Sequence, residues 1–236
     1  MNKGKSLNSE HGKTGAVQTV SAPLGSTVYR DNAIDRAFIW LFARKMAQAV
    51  GQGTDLKGYA GFVDLSYKIM RGRNSQEQQA VVAVVLRSLI PAPVLYGIRT
   101  FFSPTKLVCE LNAWFAMQLF EWLVGPSQVK EVAIVHPDGK QILQRSNVHI
   151  EKCRYLEQSQ CVGMCVNMCK LPTQRFFTED FGIPVTMVPN FEDYSCDMIF
   201  GQVPPDLTTE ETYQEPCLQS CPTANLSARS CPKVRE

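Results

Sequence analysis

The chain has little of most things that announce a function. Histidine occurs only at His11, His136 and His149 in 236 residues, leaving few imidazoles for acid–base or metal work. Neither a phosphate loop nor a GxGxxG fingerprint is present, so the usual nucleotide-binding motifs are missing. No uncharged apolar run reaches the roughly 18 residues that a bilayer-spanning helix needs. Charge of one sign is scarce as well: 24 Lys and Arg oppose 22 Asp and Glu. That balance implies no strongly basic face, and nucleic acid is not expected as a partner. The opening stretch MNKGKSLNSEHGKTGAVQTVSAPLGS lacks the apolar core of a secretory signal. Residues 1–27 carry no apolar period and are expected to be a disordered tail.

What is present is a respectable core, with 44% of the residues hydrophobic. Ile34, Phe38, Leu41, Phe42 and Met46 recur at three- and four-residue steps, and Gly51 and Gly53 stop the run; this predicts a helix from about Asp31. A second helix is expected over Tyr59 to Met70. Asn74 and Ser75 cap a third, Gln76 to Ile90, whose VVAVVLRSLI is apolar on most sides and reads as buried, with Pro91 and Pro93 ending it. Ser103 as N-cap and Pro104 open a fourth, Thr105 to Val124, closed by Gly125 and Pro126. The period then changes. Val129 to Val135 and Gln141 to Ile150 predict a hairpin around His136-Pro137-Asp138-Gly139. From Cys153 onward Gly, Pro and Cys punctuate the chain, and a loop-rich module is expected there. The fold class is α+β: a helical half (28–126), then a hairpin and a cysteine-rich, loop-rich half (127–236), the two packing as one domain.

Cysteine is distributed unevenly. Cys109 precedes residue 150; Cys153, Cys161, Cys165, Cys169, Cys196, Cys217, Cys221 and Cys231 follow it. In CVGMCVNMC, residues 161–169, three cysteines stand four apart. On a straight helix neighbouring sulfurs would lie about 6 Å apart along the axis and the outer two about 12 Å. Six suits two ligands of an iron–sulfur cube; twelve does not suit one centre. Either Gly163 breaks the helix, or one cysteine of the three serves elsewhere. Both leave at least one ligand to come from Cys153, Cys196 or the pair Cys217/Cys221.

Structural zinc favours CxxC knuckles, whereas the repeat here is CxxxC. Iron–sulfur proteins accept more varied spacing, and Cys221-Pro222 and Cys231-Pro232 fit that pattern. Iron, zinc and disulfides all remain open on spacing alone. His149 and Glu192 are weak catalytic candidates, against the simpler readings of a structural strand-end histidine and a solvated turn. Trp114, Phe115 and Phe120 are candidates for an apolar slot, against plain core packing. The helix around Phe38, Leu41 and Phe42, flanked by Arg36, Arg44 and Lys45, is a candidate lipid-contacting surface or else a core face.

The stretches NVHIEKCRYLEQSQCVGMCVNMCKLPTQRFF (147–177) and MVPNFEDYSCDMIFGQVPP (187–205) resemble the signature of the plastid β-carotene isomerase family of strigolactone biosynthesis. FVDLSYKIM, LIPAPVLYGIRTFFSP and EWLVGPSQVKEV resemble the same family, so the likeness covers about residues 28–222. It implies an iron-dependent enzyme interconverting all-trans and 9-cis β-carotene or related carotenoids. The implied iron-associated cysteines are Cys153, Cys161, Cys165, Cys169 and Cys196, with Cys217 and Cys221 as further candidates; Cys161, Cys165, Cys169 and Cys196 are the expected cofactor set. The implied partners are a carotenoid, a membrane surface touched peripherally and a downstream carotenoid cleavage enzyme. The implied location is the plastid, or the cytoplasm or thylakoid surface of a cyanobacterial relative. The chemistry is coherent with those residues. A hydrocarbon polyene offers a general acid or base no heteroatom. Lowering its π-order with a redox-active metal held by thiolates is a usable route, one closed to zinc.

Overall fold

The computed structural model describes residues 27–135, 141–222, 224 and 229–234. His11, all but the last residue of the expected tail, and the expected hairpin turn lie outside them.

Helix α1, Ala33–Val50, begins where Asn32 accepts the N–H groups of Ile34 and Asp35 while the Asp35 carboxylate accepts that of Asn32. This reciprocal box satisfies donors the first turn would otherwise leave bare. Gly51, at φ 74°, ends it in the left-handed region, where glycine carries no Cβ penalty. Phe38 and Phe42 turn inward onto Trp122, with ring centroids 6.3 and 4.9 Å away; this face belongs to the core, not to a lipid surface. Helix α2, Gly58–Met70, is the central one, burying eight side chains or glycine positions.

Helix α3, Ser75–Arg87, carries the Asn74–Glu77 version of the same box. It ends before the expected Ile90, and Val84 is 60% exposed, so the valine run is not buried all round. Pro91 and Pro93 do more than stop it. They start α4, Ala92–Phe101, which bends 88° from α3; proline suits a first turn whose N–H groups are spare. In α5, Lys106–Val124, the cap is Thr105, whose Oγ1 accepts from the Val108 N–H, rather than Ser103.

The hairpin strands are β1, Ser127–Val135, and β2, Gln141–Ile150, antiparallel with an irregularity between Lys130 and Val132. The cysteine-rich half is more regular than a loop-rich module. It adds β3, Val185–Pro189, and β4, Cys196–Phe200, giving a four-stranded antiparallel sheet in the order β1-β2-β4-β3. It also adds α6, Arg154–Ser159, and a longer helix, α7, over residues 162–181. Cys165–Lys170 and Phe176–Phe181 within α7 are π-helical. Pro172 removes one rung of the hydrogen-bond ladder, next to turns that are already widened. One apolar cluster joins Ile39, Leu65 and Trp122 of the helices to Val148, Ile150 and Phe200 of the sheet, and α5 and α7 are the elements that lie between those layers.

Candidate functional site

No disulfide joins any of the nine cysteines, and all but Cys169, which is half-buried, are buried. They separate into two groups of four, with Cys109 alone.

The first group is Cys153, Cys165, Cys169 and Cys196, brought together by three different local devices. Cys153 sits at the N-cap of α6, its N–H donating to the Tyr194 carbonyl at 2.7 Å. The backbone N–H groups of Leu156 and Tyr155 lie close enough to its sulfur to offset part of the burial penalty on its thiolate. Cys165 and Cys169 occupy the first π-helical stretch of α7. Cys196 opens β4 and pairs with Ile150 across the sheet. Burial raises the pKa of all four thiols, that of Cys169 to about 12. Mutual repulsion adds to this: Cys165 senses Cys169, Cys153 and Cys196, and Cys196 senses Cys153 and Cys169. The one opposing charge is Lys170, which favours the thiolates of Cys165 and Cys196. Lys170 is itself buried and held by Glu210 at 2.5 Å.

The second group is Cys161, Cys217, Cys221 and Cys231. Cys161 and Cys221 share a thiol–thiol hydrogen bond, as do Cys231 and Cys217, and Cys161 senses Cys231. The triplet 161–169 is therefore divided. Gly163 lies within the helix, and Cys161, at the N-cap of α7, neighbours Cys221 and Cys231. Among the described residues no three His, Cys, Asp or Glu side chains converge closely enough to grip a single metal ion.

The other sequence candidates fall away from the thiols. His149 bonds Asp197 through Nδ1 at 2.8 Å. Because Ile150 pairs with Cys196 and His149 with Asp197, strand alternation puts His149 on the opposite sheet face from Cys196. Glu192 is exposed, in a turn closed by Asn190 Oδ1 accepting its N–H. Trp114 and Phe115 stack edge to face, 5.0 Å apart, on the outer side of α5, while Phe120 is half-buried against the core. Two surface clefts occur elsewhere, one at Val50, Arg71 and Val81 and one at Gln76, Arg175 and Tyr213.

Sequence reasoning missed Lys170, Tyr155 and Tyr67. Tyr155 is buried beside Cys161, Cys165 and Cys169, its hydroxyl 3.9 Å from the Met168 sulfur, and burial keeps it protonated. Tyr67 lies near Cys161 and Cys221 and donates to the Ser159 carbonyl at 2.7 Å. Tyr155 and Lys170 are set within the cysteine segment itself, so their position was the available signal.

Residues 122–209, which include α6, α7 and the first thiol group, match the model of the family described as "Beta-carotene isomerase D27-like, C-terminal". The chain is 38% identical over 206 residues to beta-carotene isomerase D27, chloroplastic, of Medicago truncatula, covering 87% of this chain and 80% of that protein. It is 35% identical over 193 residues to the Arabidopsis thaliana protein of the same name, covering 81% and 71%. No solved structure matches it. Identity of that level across most of both chains establishes the family: the chain belongs to the beta-carotene isomerase D27-like proteins.

Proposed function

We propose that this chain is a carotenoid cis–trans isomerase acting in the chloroplast on β-carotene or a close relative, with an iron centre held by Cys153, Cys165, Cys169 and Cys196. The observation that carries the reading is the gathering of those four thiols, three buried and Cys169 half-buried, from four separate backbone positions inside the segment that matches the family. Four thiols each destabilised as thiolates by burial and by one another are costly unless a cation neutralises them.

The donor set fits a multinuclear iron–sulfur cluster rather than a lone ion. Thiolates are its usual ligands, and four soft sulfur donors are the set such a cluster takes. When bound, such iron supplies reversible one-electron chemistry, which lowers the order of a conjugated double bond. The chain's own residues do the rest. Lys170 places a positive charge beside Cys165 and Cys196. The Leu156 and Tyr155 N–H groups favour the thiolate of Cys153. The shell of Tyr59, Tyr155 and Met168 around the thiols keeps water away.

A hydrocarbon substrate is delivered from lipid, and α5 offers the surface for that. Leu107, Leu111, Trp114, Phe115 and Leu119 are all exposed, and their spacing puts them on one side of the helix. Release of the isomer to a carotenoid cleavage enzyme, on the way to strigolactones or other apocarotenoids, completes the reading.

The test is anaerobic purification of the full chain, followed by iron, zinc and acid-labile sulfide analysis and chromatography of all-trans and 9-cis β-carotene after incubation. Stoichiometric iron with isomer interconversion is expected, both falling at least tenfold in Cys165→Ser. Full activity after complete removal of iron sinks the proposal; zinc in place of iron sinks it as well.

A further inference from the structure

The second thiol group lies outside that reading. Cys161, Cys217, Cys221 and Cys231 tie the C-terminal segment to the start of α7, and their arrangement is pairwise. Cys161 shares a hydrogen bond with Cys221, and Cys231 with Cys217, and among the described residues no three donors converge on one metal position. All four residues are buried, but within each pair one is more exposed than the other: Cys161 and Cys231 are 0% and 2% exposed, Cys221 and Cys217 7% and 8%.

The surroundings fix that geometry. Cys217 and Cys231 sit in a small separate apolar cluster with Val162, Val166, Leu171 and Val234. The Cys231 N–H donates to the Glu215 carbonyl at 2.7 Å, and Asn167 Nδ2 donates to the Lys233 carbonyl at 2.6 Å. Gly163 lets the tail approach, since a Cβ there would meet the Lys233 Cβ at 2.7 Å. Two thiols in hydrogen-bond contact are within the small movement that an S–S bond requires.

We propose that Cys161/Cys221 and Cys217/Cys231 are two dithiol–disulfide stations that exchange with small disulfides of the glutathione class and lock the C-terminal segment onto α7. At each station the more exposed residue, Cys221 or Cys217, attacks the incoming disulfide RSSR as thiolate, forming a mixed disulfide and expelling one RS⁻. The less exposed one, Cys161 or Cys231, then displaces the second RS⁻. Per station two thiols and RSSR become one protein disulfide and two RSH, the two cysteine protons ending on the released thiols. The protein sulfurs are oxidised and RSSR is reduced by the same two electrons. The hydrogen bond to Cys221 and burial hold Cys161 protonated, and burial and the hydrogen bond to Cys217 hold Cys231 protonated, with a pKa of about 12. Closure of each station by its second sulfur at neutral pH is therefore slow and waits on local opening of the tail.

The experiment takes the reduced full chain, incubates it with oxidised glutathione, quenches in acid, alkylates and maps non-reduced peptides by mass spectrometry. Peptides joining Cys161 to Cys221 and Cys217 to Cys231 are expected, with Cys109 alkylated. In the Cys217→Ser/Cys231→Ser variant the Cys161–Cys221 bond still forms. Limited proteolysis of the C-terminal segment slows at least tenfold on oxidation of the unaltered chain. Full alkylation of these four thiols after oxidation, scrambled pairing, or a stoichiometric second metal that shields them overturns the proposal. Iron measured on the same sample reports separately on Cys153, Cys165, Cys169 and Cys196, so the two proposals fail independently.

Discussion

Arg154 is the residue on which the join between the N-terminal segment and the thiol region turns. Its guanidinium forms a fork on the Asp31 carboxylate, at 2.5 and 3.0 Å, and donates to the Trp122 carbonyl at 3.0 Å. It also lies 3.8 Å from the Tyr59 ring centroid and 4.8 Å from that of Tyr29. Arginine is needed here because a planar fork bonds two oxygens while its faces stack, and an ammonium does neither. Arg154→Ala leaves Asp31 and the carbonyl without their donor; a loss of about 3 kcal/mol is expected in urea melts, with Arg154→Lys recovering less than half. Cys109 makes a different residue-scale point. Burial, then Glu110, pushes its pKa from 9.0 to about 11. The folded protein thus holds a proton that the unfolded chain gives up, so this contribution is intact below about pH 9 and lost from about 9 to 11. Over that window Cys109→Ala should lose less stability than the unaltered chain, as read from melting curves at each pH; equal losses would remove Cys109 as a cause.

At the scale of elements, what the sequence revealed depended on how local the cause was. Helices α1, α2 and α5 and the hairpin were legible because capping residues, glycines and apolar period act within a turn or two. Helix α4 was missed since Pro91 and Pro93 end one helix and begin the next with the same chemistry. β3 and β4 are five residues each, and a strand so short is specified by its partners more than by its own pattern. The π-helical turns of α7 have no sequence signal at all in this reading. They matter for the site because Cys165 and Cys169 sit in the first of them. That the three cysteines of the triplet need not lie together was deducible from helix geometry, but not that Cys161 is the one set beside Cys221 and Cys231. That placement depends on Glu215, Cys221, Cys231 and Lys233, which reach the start of α7 and Gly163 through contacts far along the chain. Lys170 and Glu210, forty residues apart, meet for the same reason.

The whole molecule shows an asymmetry that no single element explains. Helix α5 buries Cys109, Ala113, Ala116 and Trp122 on one side and exposes Leu107, Leu111, Trp114 and Phe115 on the other. α4 extends the exposed apolar area with Tyr96 and Phe101, 74% and 81% exposed, and Phe102 follows. Among the described residues no single helix is long and apolar enough to cross a membrane. An apolar stripe of this kind on a helix that does not span is suited to lying in the lipid interface, aromatic rings in the headgroup boundary and cations such as Lys106 alongside. Removing two large aromatics from such a contact forfeits roughly 3 kcal/mol or more of burial, about a hundredfold in partitioning. Trp114→Ser/Phe115→Ser should therefore cut binding to phosphatidylcholine–phosphatidylglycerol vesicles at least tenfold in flotation, while circular dichroism and melting stay unchanged because both side chains are outside the core. The same variant should slow isomerisation of carotene presented in vesicles far more than carotene presented in detergent. Equal vesicle binding by both proteins would mean that this surface meets something other than lipid, and that the polyene enters the molecule by another route.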